Sequence, residues 1–287
     1  MDTGTAYLQH LTDTDLALLA EPASAAAALR TEPSLLDAVL RSPRSFDRVF
    51  GAADSTTLTD VSPFLVFAVA VHRALDDLGD TRFVAERVGP RMQVPVFDAP
   101  QLAEFATDPS RRYFMVEHLA SYTRVISGPV WVQRNNKWRK QRFSELDAPR
   151  LAQIVRDVPE SDRPGIYRRL GDLALFLTGV FPDHTTRRQL GPVELERLLR
   201  SLPAGQAGRP SLTGLADLAG ARGATGVFEW LGPRWYTLAA ARTPLAALSQ
   251  TLGEIAQRFD QARRFLNHLT DRYLFPVRAR WFPAPGT

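Results

Sequence analysis

The chain has 287 residues, and its 45% hydrophobic and 23% charged residues are typical of a folded globular protein rather than a disordered one. It contains no cysteine, which excludes disulfides and thiolate chemistry, and a formal net charge of +4 does not by itself indicate a nucleic-acid partner. Two lysines against 33 arginines indicate a GC-rich, bacterial genome. The first residues lack the basic and apolar regions of a secretory signal, so we expect a cytoplasmic protein.

The first hundred residues predict short helices followed by one central helix. Pro22, Pro33 and Pro43 separate the short helices, because proline fits the first turn of a helix and ends the preceding one. The central helix is predicted to begin after Ser62, a favourable N-cap residue, and to be buried because it starts apolar on all sides. Residues 89–100 are predicted to form extended chain or loop.

The two most apolar runs, FLVFAVAV and LALFLTGVF, cover residues 64–71 and 173–181. Each is far shorter than the ~20 residues that a helix needs to span a bilayer. They predict buried core helices, and no membrane partner is expected.

The stretch of residues 130–143, VWVQRNNKWRKQRF, departs from the helical pattern. It holds both lysines of the chain and two of its three asparagines, among β-branched and aromatic residues that favour strands. Asn135 and Asn136 at its centre suit a tight turn, because asparagine tolerates a positive φ. The sequence therefore predicts a β-hairpin. Its predicted register places Gln133 opposite Trp138, and Trp131 opposite Lys140.

Helices are predicted again after the hairpin. The first begins at Asp147 as N-cap, and others cover residues 161–181 and 191–202. The segment 203–211, PAGQAGRPS, is predicted to be a flexible loop or domain boundary, and the glycine-rich segment 220–226 is predicted to be a helix stop and turn.

The last predicted element is one continuous helix over residues 244–274. Its apolar positions recur in steps of three and four, which is typical of a helix packed along a left-handed seam. The partner helix could lie in the same chain or in a second copy, which would make a homodimer. The seam positions are Leu245, Leu248, Leu252, Ile255, Phe259, Ala262, Leu266, Leu269 and Tyr273.

Together these elements predict a mainly α fold: a multi-helix assembly with one inserted β-hairpin at about 130–143 and a long C-terminal helix. We divide the chain into a helical domain of residues 1–202, which contains the hairpin, and a C-terminal helical segment of residues 212–287. The two are expected to pack as one globular unit.

Positive charge is concentrated around the hairpin. No acid lies between Glu117 and Glu145, whereas six basic residues do, so this segment carries +6 and the rest of the chain −2. Basic side chains could contact phosphates or an acidic protein surface while the tryptophans stack on bases. The predicted nucleic-acid or polyanion site consists of Trp131, Arg134, Lys137, Trp138, Arg139, Lys140 and Arg142.

Two other interpretations of the hairpin remain open. Its tryptophans could dock it on the helices while its charges protect an exposed edge from pairing with other chains. The hairpin could also be the wing of a winged-helix arrangement, with residues 101–106 and 111–125 as the two preceding helices and the second of these in the major groove.

Catalytic and metal-binding patterns are weak. The five histidines form no HExxH or Glu-x-x-His spacing, so each is predicted to be a capped or surface residue rather than a metal ligand, and no metal or cofactor is expected. Residues 181–188, FPDHTTRR, bring catalytic residue types together, but Asp183 or Thr185 suits a helix cap better.

The sequence thus predicts a cytoplasmic, non-enzymatic binding or regulatory protein that contacts nucleic acid or another polyanion through the basic hairpin. One alternative is a helical interaction or scaffold protein that dimerises through residues 244–274. The other is an enzyme whose site is assembled from residues distant in sequence.

Overall fold

The structure, a computed structural model, describes residues 3–20, 25–51, 61–89, 92–124, 127–134, 137–205 and 208–274. At residues 87–89, 127–134 and 137–143 it describes the backbone alone. The described chain forms fifteen α-helices, one π-helical turn and two two-stranded sheets. The predicted mainly α class with an inserted hairpin is therefore confirmed. None of the helices in the described segments is both long enough and apolar enough to span a bilayer.

Contacts between Cα atoms divide the chain into two compact units. The second unit comprises Arg87–Gln93 and Arg124–Arg263. The first unit comprises the chain up to Glu86, Val94–Thr123, and the described chain from Arg264 onward. The predicted boundary at 203–211 lies inside the second unit, and the division into residues 1–202 and 212–287 stays a prediction.

The first unit is built around one helix, α6. The Ser62 hydroxyl accepts a hydrogen bond from the Leu65 N–H at 3.1 Å, and Pro63 occupies the first turn, as predicted. Every residue from Leu65 to Val71 is fully buried, because α4, α5, α7 and α8 pack around this helix. The helices are α1 (Thr3–Leu8), α2 (Asp13–Leu19), α3 (Ala26–Thr31), α4 (Leu35–Arg41), α5 (Pro43–Phe50), α6 (Pro63–Asp80), α7 (Ala99–Thr107) and α8 (Pro109–Ser121).

The second unit is built on the packing of α10 against α13. The two helices can approach closely because Gly171 has no side chain: a Cβ at this position would lie 2.9 Å from the Tyr236 ring. Helical geometry in α13 is interrupted at Arg222 and at Gly223, whose φ is 58°, and this interruption confirms the predicted stop in 220–226. The helices are α9 (Ala148–Asp157), α10 (Arg163–Val180), α11 (Pro182–Arg187), α12 (Pro192–Arg200), α13 (Leu212–Ala240) and α14 (Ala246–Gln257).

The predicted continuous helix over 244–274 is wrong. The segment forms α14, then α15 (Phe259–Leu269), then a π-helical turn (Thr270–Leu274). Helical geometry is lost at Arg258, with φ −111° and ψ 28°. The break coincides with the packing of the Phe259 ring against α13, where a Cβ on Gly232 would lie 2.5 Å from that ring.

Most of the predicted seam is covered by the protein's own residues, although the helix is divided. Leu252, Ile255, Phe259, Ala262, Leu266 and Leu269 are buried. Leu248 and Tyr273 are half-buried, and Leu245 is 63% exposed. This burial favours partner helices in the same chain. A homodimer through residues 244–274 stays a prediction.

The strands are β1 (Val84–Gly89), β2 (Met92–Val96), β3 (Ser127–Arg134) and β4 (Lys137–Ser144). β3 and β4 form the predicted hairpin. β1 and β2 form a second two-stranded sheet where the sequence predicts extended chain or loop at residues 89–100. Its strands are short and not consistently apolar, so no alternation indicated the pairing.

Candidate anion-binding site

The hairpin has the predicted register. β3 and β4 are antiparallel, with Gln133 opposite Trp138 and Trp131 opposite Lys140, and pairing extends to Ser127 opposite Ser144. Residues 135 and 136, the predicted turn, lie outside the described residues.

The backbone of β3 and β4 carries all seven residues of the predicted polyanion site. Arg134 is opposite Lys137, Arg139 is opposite Val132, and Arg142 is opposite Pro129. The side chains of these residues lie outside the described part of the chain. The site of Trp131, Arg134, Lys137, Trp138, Arg139, Lys140 and Arg142 therefore stays a prediction.

Charge is strongly segregated between the two units. The sequence ranges of the second unit contain 23 lysines and arginines against 13 aspartates and glutamates, a formal net charge of +10. The remainder of the chain carries −6. The modest total charge thus conceals a strongly basic unit, and this unit includes the hairpin.

A cavity of about 480 Å³ in the second unit is lined by three arginines, and we call it the arginine pocket. Arg156 comes from the last turn of α9, Arg200 is the last residue of α12, and Arg209 follows in the connection to α13. Leu202 and Ala204 complete its described lining, which contains no acidic residue. No pattern in the sequence indicated this pocket, because its arginines are isolated and come from three different elements.

The arginines of this pocket are only partly neutralised. Arg200 forms an exposed ion pair with Glu196 one helical turn earlier. Within the described chain, neither Arg156 nor Arg209 forms an ion pair with a carboxylate. Arg209 donates to the Leu199 carbonyl at 3.2 Å, while its Nε atom is buried without a hydrogen-bond partner. Like charges around one cavity repel each other, and a bound anion would offset this repulsion.

A fourth arginine lies beside the loop that carries Arg209. A Cβ on Gly208 would lie 3.8 Å from a terminal nitrogen of Arg234. The Arg234 guanidinium stacks over the Trp230 ring, 3.5 Å from its centroid, and donates to the Trp230 carbonyl at 2.8 Å. Burial lowers the pKa of Arg234, but arginine stays protonated at neutral pH. The stacking holds this cation in place without a carboxylate.

The residues FPDHTTRR do not form a cap as predicted. α11 begins at Pro182 without a side-chain cap, and the Thr185 hydroxyl instead donates to the Leu177 carbonyl at 2.6 Å. Arg188 pairs with Glu194 at 3.3 Å. Burial lowers the pKa of His184, and the nearby Arg188 acts in the same direction. Thr185 and Arg188 thus hold the local structure together.

A surface position, one of the two predicted for every histidine, is wrong for two of them. His72 and His118 are buried in the first unit. The Nε2 atom of His72 lies 3.4 Å from the Tyr7 hydroxyl and 4.0 Å from the Asp37 carboxylate. Over the described residues, no group of three or more His, Asp or Glu side chains is arranged to hold a metal ion.

The buried face of α8 argues against the winged-helix arrangement. Arg111 and Arg112, at the start of the supposed recognition helix, are buried and donate to main-chain carbonyls near the end of α7. Arg112 also pairs with Asp37 at 2.6 Å. A recognition helix must expose the side chains that contact the bases. On α8 the arginines that could do so are buried.

The comparisons with known proteins give no family. No protein-family model, curated protein or solved structure matches the chain. The function is therefore argued from charge and geometry.

Proposed function

We propose that the second unit binds a polyanion, with nucleic acid as the leading partner, and that the protein acts as a non-enzymatic binding or regulatory protein. The observation that carries this proposal is the segregation of charge, +10 on the second unit against −6 on the remainder of the chain. A surface of one sign attracts oppositely charged ligands and raises their association rate.

Two features of the second unit would localise the contact. The basic hairpin of residues 130–143 would follow the phosphate backbone, with its tryptophans stacking on unpaired bases. The arginine pocket would hold a phosphate group, because guanidinium groups bind phosphate oxygens in a fork geometry. Arg156 and Arg209 support this role, since no described carboxylate competes for them in an ion pair.

The test is a fluorescence-anisotropy titration with single- and double-stranded oligonucleotides. We expect binding that weakens between about 50 and about 200 mM salt, with a log–log slope of roughly −3 to −5, because each phosphate contact contributes about −0.7 to −0.9. An absence of binding to both oligonucleotides at the lower salt would contradict the nucleic-acid proposal. Polyglutamate, added as a competitor of the labelled oligonucleotide, tests for an acidic protein partner. If it displaces the labelled oligonucleotide as well per charge as unlabelled oligonucleotide does, an acidic protein is the favoured partner.

Substitutions measure the contributions of the hairpin and of the arginine pocket separately. Replacing Lys137, Arg139 and Lys140 by alanine should reduce the magnitude of the log–log slope by about 2 to 3. The double variant Arg156→Gln with Arg209→Gln should reduce it by about 1 to 2. The matched control is Arg222→Gln, because Arg222 is an exposed arginine of the same unit that is already paired with Glu229. Its substitution should leave the slope unchanged.

A further inference from the structure

Unsatisfied polar groups cluster near the C-terminal end of the described chain. There α15 gives way to the π-helical turn Thr270–Leu274, and such turns are frequent at functional sites. Within four residues, Asn267 Nδ2, His268 Nε2 and Thr270 Oγ1 are buried without a hydrogen-bond partner. Of these three residues, His268 also lines a cavity.

A cavity of about 450 Å³ in the first unit opens beside this turn. One wall consists of His268, Asp271 and Arg272, which are spaced to share one face of the helical segment. The other wall is residues 81–85, of which the last two are the first residues of β1. The volume falls in the range of ~300–1,000 Å³ that is usual for small-molecule sites.

The two arginines of this cavity differ in what holds them. The Nε atom of Arg272 lies 3.0 Å from an Asp77 oxygen, and Asp77 also accepts from the Tyr273 hydroxyl. Arg272 is thereby held in place by Asp77, a carboxylate that it shares with Arg73. Arg82 is exposed and forms no ion pair with a carboxylate of the described chain. Arg82 is therefore the cation of this cavity that no carboxylate of the described chain holds in place.

The remaining lining offers an aromatic ring and two hydrogen-bonding groups. Phe83 is 50% exposed, and its ring centroid lies 5.8 Å from that of Phe97. Asp271 supplies carboxylate oxygens that accept hydrogen bonds. Burial lowers the pKa of His268, and Arg272 acts in the same direction against Asp77 and Asp271, so the imidazole is neutral at pH 7.

We propose that this cavity binds a small aromatic molecule with one anionic group, in the size class of a nucleoside monophosphate. Arg82 would hold the phosphate, the Phe83 ring would stack on the base, and Asp271 would accept from the sugar hydroxyls. The site is in the first unit and does not depend on polyanion binding by the second.

The test is calorimetric titration with AMP, GMP, CMP and UMP and with the corresponding nucleosides. At least one nucleotide should bind, and its nucleoside should bind at least about tenfold more weakly, because it lacks the group that Arg82 holds. Arg82→Gln and Phe83→Ala should each weaken nucleotide binding by about tenfold, and both change exposed side chains, so the fold should persist.

Two controls make the outcome specific. Arg222→Gln removes an exposed arginine that lies outside both proposed sites and is already paired with Glu229, so it should leave nucleotide affinity unchanged. Arg82→Gln should leave oligonucleotide affinity unchanged. No binding of any of the four nucleotides at ~5 mM would overturn the proposal. Equal affinity in the parent and in Arg82→Gln would overturn it as well, and neither result would bear on the polyanion proposal.

Discussion

At the scale of residues, arginine has two different uses in this protein. Arg111 and Arg112 are buried and donate to main-chain carbonyls, so their guanidinium groups stabilise the contact between helices and do not face solvent. Arg156 and Arg209 line a cavity and form no ion pair in the described chain. The sequence shows the same residue type in each case. Only the fold distinguishes structural arginines from those available to a ligand, which is why the arginine pocket could not be predicted.

His72 predicts a pH dependence of stability at the same scale. Burial, with Arg112 acting in the same direction, lowers its pKa to about 4, whereas the pKa of an unfolded histidine is about 6.5. Between these values the unfolded chain binds a proton that the folded protein does not, so the stabilisation present above pH 6.5 is lost as the pH falls toward 4. At pH 5 the loss should be about 2 kcal/mol relative to pH 8.

The measurement is denaturant unfolding of the parent and of His72→Gln at several pH values. Gln does not titrate, so the variant should lose about 2 kcal/mol less than the parent between pH 8 and pH 5, whatever its stability at pH 8. Parallel curves for the two proteins would show that the pKa of His72 is the same in the folded and unfolded states.

At the scale of elements, the sequence predicted the features that are determined by residues close together in the chain. The cap at Ser62, the stop in 220–226 and the hairpin register follow from local chemistry, and all three are observed. The break at Arg258 does not, because it accompanies the packing of Phe259 against Gly232, a contact with another helix. Periodicity identified the buried face of residues 244–274 but not the division of the helix.

The buried face of α14 can be tested by charge insertion. Ile255 is fully buried, so Ile255→Asp should lower the free energy of unfolding by several kcal/mol, because an unpaired carboxylate would enter the core. The control is Leu245→Asp at the 63% exposed N-cap position of the same helix, which should not lower stability, because aspartate is favourable at an N-cap. The prediction fails if both variants melt at the temperature of the parent.

At the scale of the whole molecule, charge segregation has two opposing effects, one on binding and one on stability. A net charge of +10 on one unit favours association with polyanions, yet the same charges repel one another and destabilise that unit. The formal net charge of the whole chain is only +4, and a count over part of the chain shows the basic unit only when the boundaries of that unit are known. The segregation becomes visible when the fold assigns each segment to a unit, so the sequence could indicate the basic hairpin but not the basic unit.

A polyanion should therefore stabilise the folded protein against heat. Binding to the folded state alone stabilises by about 2.7 kcal/mol at a ligand concentration 100-fold above the dissociation constant, so polyphosphate at low salt should raise the melting temperature by several degrees. A neutral polymer of equal mass is the control and should not do so, and ~1 M salt should abolish the effect of polyphosphate by screening. The variant with Arg156→Gln and Arg209→Gln should show a smaller rise, because two of the cations that line the arginine pocket are gone. A melting temperature that polyphosphate leaves unchanged at low salt would mean that the positive charge of the second unit does not form a binding surface.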